Sequence, residues 1–181
     1  MTPAPTLHTR HLTLRGPEKS DLAPFTAFLT ASARMAALGW ASTEGEAWRG
    51  FIGGIGHWHW HGYGFFTVCD RATGAPLGRV GVLNHIEWPQ PELAWHLFDG
   101  AEGRGVATEA AIAVRDWYGR TFGGAPLVSL ILPDNHRSIR VAERLGATPG
   151  ATTDATGETC VIHTHLAHDD PAARAQWEAV A

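Results

Sequence analysis

Residues 7–15 alternate between apolar and polar positions, with Leu12 and Leu14 on one face and His11 and Thr13 on the other, and Gly16 and Pro17 follow. A period of two closed by turn residues predicts a first strand. Leu22, Phe25, Phe28 and Leu29 then recur at helical spacing, with Ser20 placed to cap and Pro24 in the tolerated first turn. This helix is expected to run to about Met35. Thr43 and Glu46 have the three-residue spacing of a capping box, and Trp48, Phe51, Ile52 and Ile55 continue the 3.6-residue period. A second helix follows, weakened by Gly50, Gly53 and Gly54.

The pattern then shortens. Residues 65–69 and 77–83 are apolar or β-branched runs joined by a turn segment at 70–74, which predicts an antiparallel hairpin. Residues 92–98 are a further strand candidate, ending in the Gly-rich stretch 100–105. Val106, Ala110, Ala113 and Trp117 mark one face of a long helix. Residues 127–132 read as a buried strand, and Asn135 can cap a helix on which Ile139, Ala142 and Leu145 share a face before Gly146 stops it. One or two strands around 159–166 and a short helix over 171–181 complete the chain. The order of strand, two helices, three strands, helix, strand, helix, strand is that of a mixed α/β fold, expected as one domain over residues 1–181.

Composition narrows the function classes. Of 181 residues, 44% are hydrophobic, enough for a core, yet no stretch approaches the ~20 apolar residues of a membrane span. No membrane partner is expected. A formal charge of -4 leaves no basic field for phosphate backbones, so nucleic acid is not an expected partner either. Cys69 and Cys160 lie far apart and residues 1–10 contain no apolar signal core, which points to a reducing, cytoplasmic setting.

Residues 102–109, EGRGVATE, fall between a predicted strand and a predicted helix. Glycines there let backbone N–H groups approach a ligand, and the helix N-terminus adds about half a positive charge, so a pyrophosphate would be favoured. The dinucleotide pattern is not met, because Thr108 stands where its third glycine belongs, and the Lys-Ser/Thr of a P-loop is missing. A plain strand-to-helix turn is the alternative. His57, His59 and His61 would share a face on a strand, as zinc ligands can, but the segment falls at a helix end and no fourth ligand stands out. No metal is expected there, although a zinc-binding interaction module remains an alternative. His163 and His165 alternate in the last strand region, also without a metal role.

Residues 102–109 resemble the pyrophosphate motif of the GNAT acyl-CoA acetyltransferases: Gln or Arg, two residues, Gly, one residue, Gly or Ala. Glu102, Gly105 and Ala107 stand at the marked positions, Glu102 being a departure. Residues 103–110 are similar to the form in the RimJ/RimL-type, ribosomal-protein N-acetyltransferase-like branch. Residues 7–15 with Ser20 and Asp21 resemble that branch's opening, residues 92–97 (ELAWHL) its fourth strand, and residues 135–146 (NHRSIRVAERLG) its cofactor-side helix. Together the likeness spans about residues 7–166. It implies a mainly antiparallel central sheet flanked by helices, with the fourth and fifth strands splayed apart.

The same resemblance implies acetyl-CoA as co-substrate. Backbone amides of Gly103, Arg104, Gly105, Val106, Ala107 and Thr108 would hold its pyrophosphate, with Arg104 adding a direct contact. Trp95, His96 and Leu97 would face residues 130–132 across the pantetheine channel, Asn135 would bond the pantetheine arm, and Ser138 would lie near the thioester sulfur. The implied reaction is acetyl transfer to a primary amine, on a peptide or protein N-terminus or a small molecule, by a monomer or homodimer. Such chemistry needs a deprotonated amine, a polarised carbonyl and a protonated leaving thiolate. Glu92 matches a carboxylate position that some relatives use as general base, often through water, and Ser138 is the candidate donor to the thiolate. His85 and His96 are alternative bases, with alternation placing Trp95 and His96 on opposite faces. Trp58, Trp60 and Tyr63, with His85, are expected to line the acceptor pocket. A non-catalytic acyl-CoA-binding or sensor domain is the alternative function.

Overall fold

The computed structural model describes residues 4–37 and 42–181. Along the chain these form β1 (Leu7–His8), β2 (Leu12–Arg15), α1 (Leu22–Ala31), α2 (Ala33–Ala37), α3 (Glu44–His61), β3 (Phe65–Asp70), β4 (Pro76–Leu83) and β5 (Glu92–Leu97). Then come α4 (Val106–Phe122), β6 (Val128–Ile131), α5 (His136–Arg144), β7 (Thr148–Thr153), β8 (Cys160–Thr164) and α6 (Pro171–Val180). The strands make one eight-stranded sheet in the order β1-β2-β3-β4-β5-β6-β8-β7. Only β5 and β6 run parallel; the other neighbours are antiparallel. This is the mixed, mainly antiparallel α/β architecture that the order of elements and the motifs imply.

Helix α4 covers one face of the sheet. Val106, Ala110, Ala113 and Val114 are buried in one cluster with Leu12, Leu14, Val80, Val82 and Leu93. Alanines on that helix face let the axis approach the sheet closely, and the fully buried Phe66 fills the space behind it. The other face is covered by α1 and α3, whose Phe25, Ala47 and Phe51 form a second cluster with Leu22, Leu29 and Phe98. On α3 the Thr43 side chain accepts from the Glu46 N–H, as the sequence predicts, and Gly62 ends the helix in the left-handed conformation.

Four local expectations are corrected. The segment 7–15 is a tight hairpin rather than one strand: Thr9 donates its N–H to the Leu12 carbonyl at 3.0 Å, and Glu109 of α4 accepts from Thr9 Oγ1 at 2.6 Å and from the His11 N–H at 2.9 Å. The first helix breaks at Ser32, whose ψ of 125° is extended and whose hydroxyl donates to Asp99 Oδ1 at 2.9 Å. Asp21, not Ser20, organises the turn before α1, accepting from the Glu18 N–H and from Arg15. Finally, β7 forms over residues that include Pro149 and Gly150; as the sheet's edge strand it can lack a ladder donor.

Candidate active site

The parallel pair β5–β6 holds register only at Glu92 and Val128. The Val128 N–H bonds the Pro91 carbonyl at 3.2 Å, so the next rung of a parallel ladder would run from the Leu130 N–H to the Leu93 carbonyl. Two side chains replace that rung. Glu92 Oε1 accepts the Leu130 N–H at 2.9 Å, and Ser129 Oγ donates to the Leu93 carbonyl at 2.5 Å. Because that proton of Ser129 is committed, its contact with His165 Nε2 at 2.8 Å is one in which the buried imidazole donates. Beyond this point the strands diverge.

The divergence opens a cleft of about 1270 Å³. Its walls include Trp95, His96 and Leu97 of β5, Leu130 and Ile131 of β6, and Asn135 and Ser138 at the start of α5. Its floor reaches the α4 N-terminus at Gly103, Gly105, Val106, Ala107 and Thr108. Gly103 and Gly105 have φ of 75° and 79°, and a Cβ on either would meet no protein atom within 4 Å. The backbone there is thus bare toward open space, with helix N–H groups that lack an intrahelical acceptor. Across from it, Arg140 and Arg144 of α5 line the same cleft and supply positive charge. An elongated ligand with a pyrophosphate fits this donor set.

Glu92, Ala94 and His96 share one face of β5, the face covered by α1 and α3, while Leu93, Trp95 and Leu97 share the other. The contacts follow this alternation. His96 packs near Phe28 and Phe65, whereas the Trp95 indole N–H donates to Ser138 Oγ at 3.3 Å. Burial pushes the Glu92 carboxyl up to about 7, only partly opposed by the Leu130 N–H. His96 moves the other way: burial and then the Arg79 charge hold it well below the ordinary imidazole range. Arg79 Nε donates to His96 Nδ1 at 2.9 Å, so the neutral ring carries its proton on Nε2. His96 is therefore a hydrogen-bond donor and not a base.

Other expected residues stand elsewhere. Arg104 donates to Asp70 Oδ2 at 3.2 Å and does not line the cleft itself. Trp58 is core: its indole donates to the Phe65 carbonyl at 2.8 Å and its ring packs on Phe66 and Trp117. Tyr63 is buried against Tyr118 and Phe122, and Trp60 is 82% exposed. None of these three lines the cleft: α3 runs on to His61, so Trp58 and Trp60 fall at its C-terminal end and Tyr63 just beyond it. His85 is half-exposed beside Glu87, and its ring lies tilted, 5.8 Å from that of Trp88, which does line the cleft. Asn135 caps α5 by accepting the Ser138 N–H at 3.2 Å, which leaves its amide NH2 free of that role. His57 has both ring nitrogens engaged, by the Tyr63 carbonyl and the Asn84 N–H, and among the described residues no group of His, Cys, Asp and Glu could hold a metal ion.

Arg34 was not legible as a site residue. From α2 it donates to the Leu97 carbonyl and Asp99 Oδ1 and meets Glu102 Oε1 at 2.8 Å, while Glu102 Oε2 accepts the Gly100 N–H. The departure at Glu102 is thus neutralised by a clasp between α2 and the Gly-rich loop. Phe28, Met35, Leu83 and Trp88 give the remaining wall an apolar surface.

A model of the acetyltransferase (GNAT) domain matches residues 11–148, and the chain belongs to this acetyltransferase family. An acetyltransferase from Agrobacterium tumefaciens is similar at 35% identity, covering 92% of this chain and 97% of that one, with a TM-score of 0.81. A protein from Bordetella pertussis described as a GnaT-family acetyltransferase is 25% identical over 90% and 99% of the two chains, TM-score 0.75. RimL, a ribosomal L7/L12 alpha-N-protein acetyltransferase solved with coenzyme A, shares the fold at 16% identity, 92% and 100% coverage and a TM-score of 0.73. A search of curated proteins gives no match. No helix of the described residues is long and apolar enough to cross a membrane.

Proposed function

We propose that this acetyltransferase moves the acetyl group of acetyl-CoA directly onto a primary amine, with Glu92 as general base. The observation that carries the reading is the Glu92 carboxyl itself, which stands where β5 and β6 part, lines the cleft and titrates near neutrality. Backbone N–H groups of residues 103–108 would hold the pyrophosphate, Arg140 and Arg144 would answer further phosphate charge, and the Asn135 amide would bond the pantetheine arm. Acetyl-CoA would supply the activated acyl group as its thioester.

The chain's own groups divide the remaining work. Leu130 fixes Glu92 through Oε1, leaving Oε2 to take a proton from the incoming ammonium. His96 presents Nε2–H on the same strand face, and the Ser138 hydroxyl accepts from Trp95 while keeping its own proton to give. The apolar wall of Phe28, Met35, Leu83 and Trp88 suits an amine with an apolar part. The RimJ/RimL-type branch is supported by the likeness at residues 103–110 and 135–146, which lies on the cofactor side, and the acceptor is a peptide or protein N-terminus or a small-molecule amine. Thiol release from acetyl-CoA with a panel of amines tests the reading. Glu92→Gln is expected to lower turnover by roughly 10²-fold or more while CoA affinity holds; unchanged turnover removes Glu92 from this role.

A further inference from the structure

The sheet register sets Arg15, Thr67, Arg79 and His96 side by side across β2, β3, β4 and β5, on the face beneath α1 and α3. At one end of this row the charge is balanced. Arg15 donates to both oxygens of Asp21, at 2.7 and 2.8 Å, and Thr67 donates to Asp21 Oδ2 at 2.7 Å. At the other end it is not. Arg79 has no carboxylate partner among the described residues; its one hydrogen bond goes to neutral His96. The guanidinium instead lies between two rings, 4.4 Å from the Phe25 centroid and 4.1 Å from that of Phe65.

Ring faces offset part of the cost of burying a cation, but they accept none of its N–H groups. Arg79 retains both Nη amino groups, in the fork geometry that matches a carboxylate. Beside it is a cavity of about 30 Å³ lined by Arg79, Phe25, Phe51, Phe65 and Phe98, with Asp21 already saturated at its edge. A water needs roughly 10–15 Å³ of such space, so two or three heavy atoms fit and a phosphate does not. Phe65 lines both this cavity and the main cleft, whereas Arg79 lines the cavity alone, so the carboxylate would reach it past the Phe65 ring.

We propose that Arg79 binds a carboxylate of the acceptor, so that the amine acetylated by this chain belongs to an amino acid with an apolar skeleton. Glu92 and His96 are four residues apart on β5, roughly 13 Å along the strand, and Arg79 pairs with His96. The amine and the carboxylate therefore stand about that far apart, which selects a long ω-amino acid over an α-amino acid. This inference rests on the assignment of Glu92 as the base that receives the amine.

The test compares ω-amino acids of increasing length with alkylamines of the same length, in wild type, Arg79→Gln and Arg79→Lys. In wild type, kcat/KM for the amino acid is expected to exceed that for its alkylamine about tenfold at one intermediate length, the equivalent of one charge-assisted hydrogen bond. The ratio falls to about one in Arg79→Gln and to an intermediate value in Arg79→Lys. A wild-type ratio at or below one at every length overturns the site, and this reading needs no variant to fold. Melting temperatures with aminodecanoate and decylamine separate the two assignments. A rise with aminodecanoate in wild type and not in Arg79→Gln, without acetylation of any amine, keeps the carboxylate site and overturns Glu92 as base. Alkylamines acetylated as well as amino acids, equally in Arg79→Gln, overturn the site and leave Glu92 standing.

Discussion

Glu92 accepts the Leu130 N–H through Oε1 at 2.9 Å and so occupies the place of the ladder bond that would have closed β5 onto β6. The same carboxyl both ends the strand pairing and faces the cleft that results. Gln retains the acceptor oxygen and Ala does not. Glu92→Ala is therefore expected to melt below Glu92→Gln by the equivalent of about 1 kcal/mol or more, the cost of an unsatisfied buried N–H. Charge adds a second difference. The folded carboxyl titrates at about 7 against an ordinary 4.5, so between these values the folded chain holds a proton that the unfolded chain has released. Its contribution to stability thus declines as pH rises through that window. Calorimetry from pH 5 to 8 should show Glu92→Gln gaining on wild type as pH increases; a constant gap contradicts the raised value.

His96 should stay neutral with its proton on Nε2, because Arg79 occupies Nδ1 and burial penalises the cation. Nitrogen-15 NMR is expected to show no His96 titration between pH 5 and 8. An imidazolium signal near pH 6 would restore it as a candidate base.

Gly105 and Gly74 have φ of 79° and 74°, and neither has a neighbour where a Cβ would stand. Replacing either with Ala costs about 1–2 kcal/mol of backbone strain. Only Gly105 lines the cleft, where an added Cβ would stand in the space the phosphates take, so Gly105→Ala alone should also weaken CoA binding, by roughly tenfold, the equivalent of one hydrogen bond to a charged group. Isothermal titration of both variants checks this; equal affinities would move the phosphates away from the α4 N-terminus.

Trp58 and Trp60 stand two apart on α3 with opposite roles. Trp58→Ala opens a core cavity, strands the Phe65 carbonyl and should cost about 3–5 kcal/mol in denaturant unfolding. Trp60→Ala should change stability by less than about 0.5 kcal/mol and leave the acceptor KM as it was. A raised KM in folded Trp60→Ala would return this end of α3 to the acceptor site.

The pattern of residues made most elements legible because each carries its own signal: the Thr43–Glu46 box, the Asn135 cap, the alanine face of α4. The stretch 7–15 was misread because its fold is decided by Glu109, about a hundred residues away, and no local period reports that contact. β7 was missed for a different reason. Its Pro149 and Gly150 are loop residues by local chemistry and are tolerated only because the strand lies at the sheet edge. The cofactor side of the cleft was legible because backbone amides at Gly103 and Gly105 need only glycine and a helix start. The acceptor side was not, since Trp58 and Tyr63 have the composition of a pocket but sit at the end of α3 that packs on α4. Arg34 gave no signal, because its partners Asp99 and Glu102 come together with it only in the fold.

The pH dependence of kcat/KM for amine acetylation, in wild type and Glu92→Gln, tests the central assignment most directly. Wild type should gain activity through an inflection near pH 7 as Glu92 loses its proton, and Glu92→Gln should be slower by roughly 10²-fold or more with that inflection gone. A wild-type profile without an inflection between pH 6 and 8, or the same inflection in Glu92→Gln, would contradict Glu92 as the base.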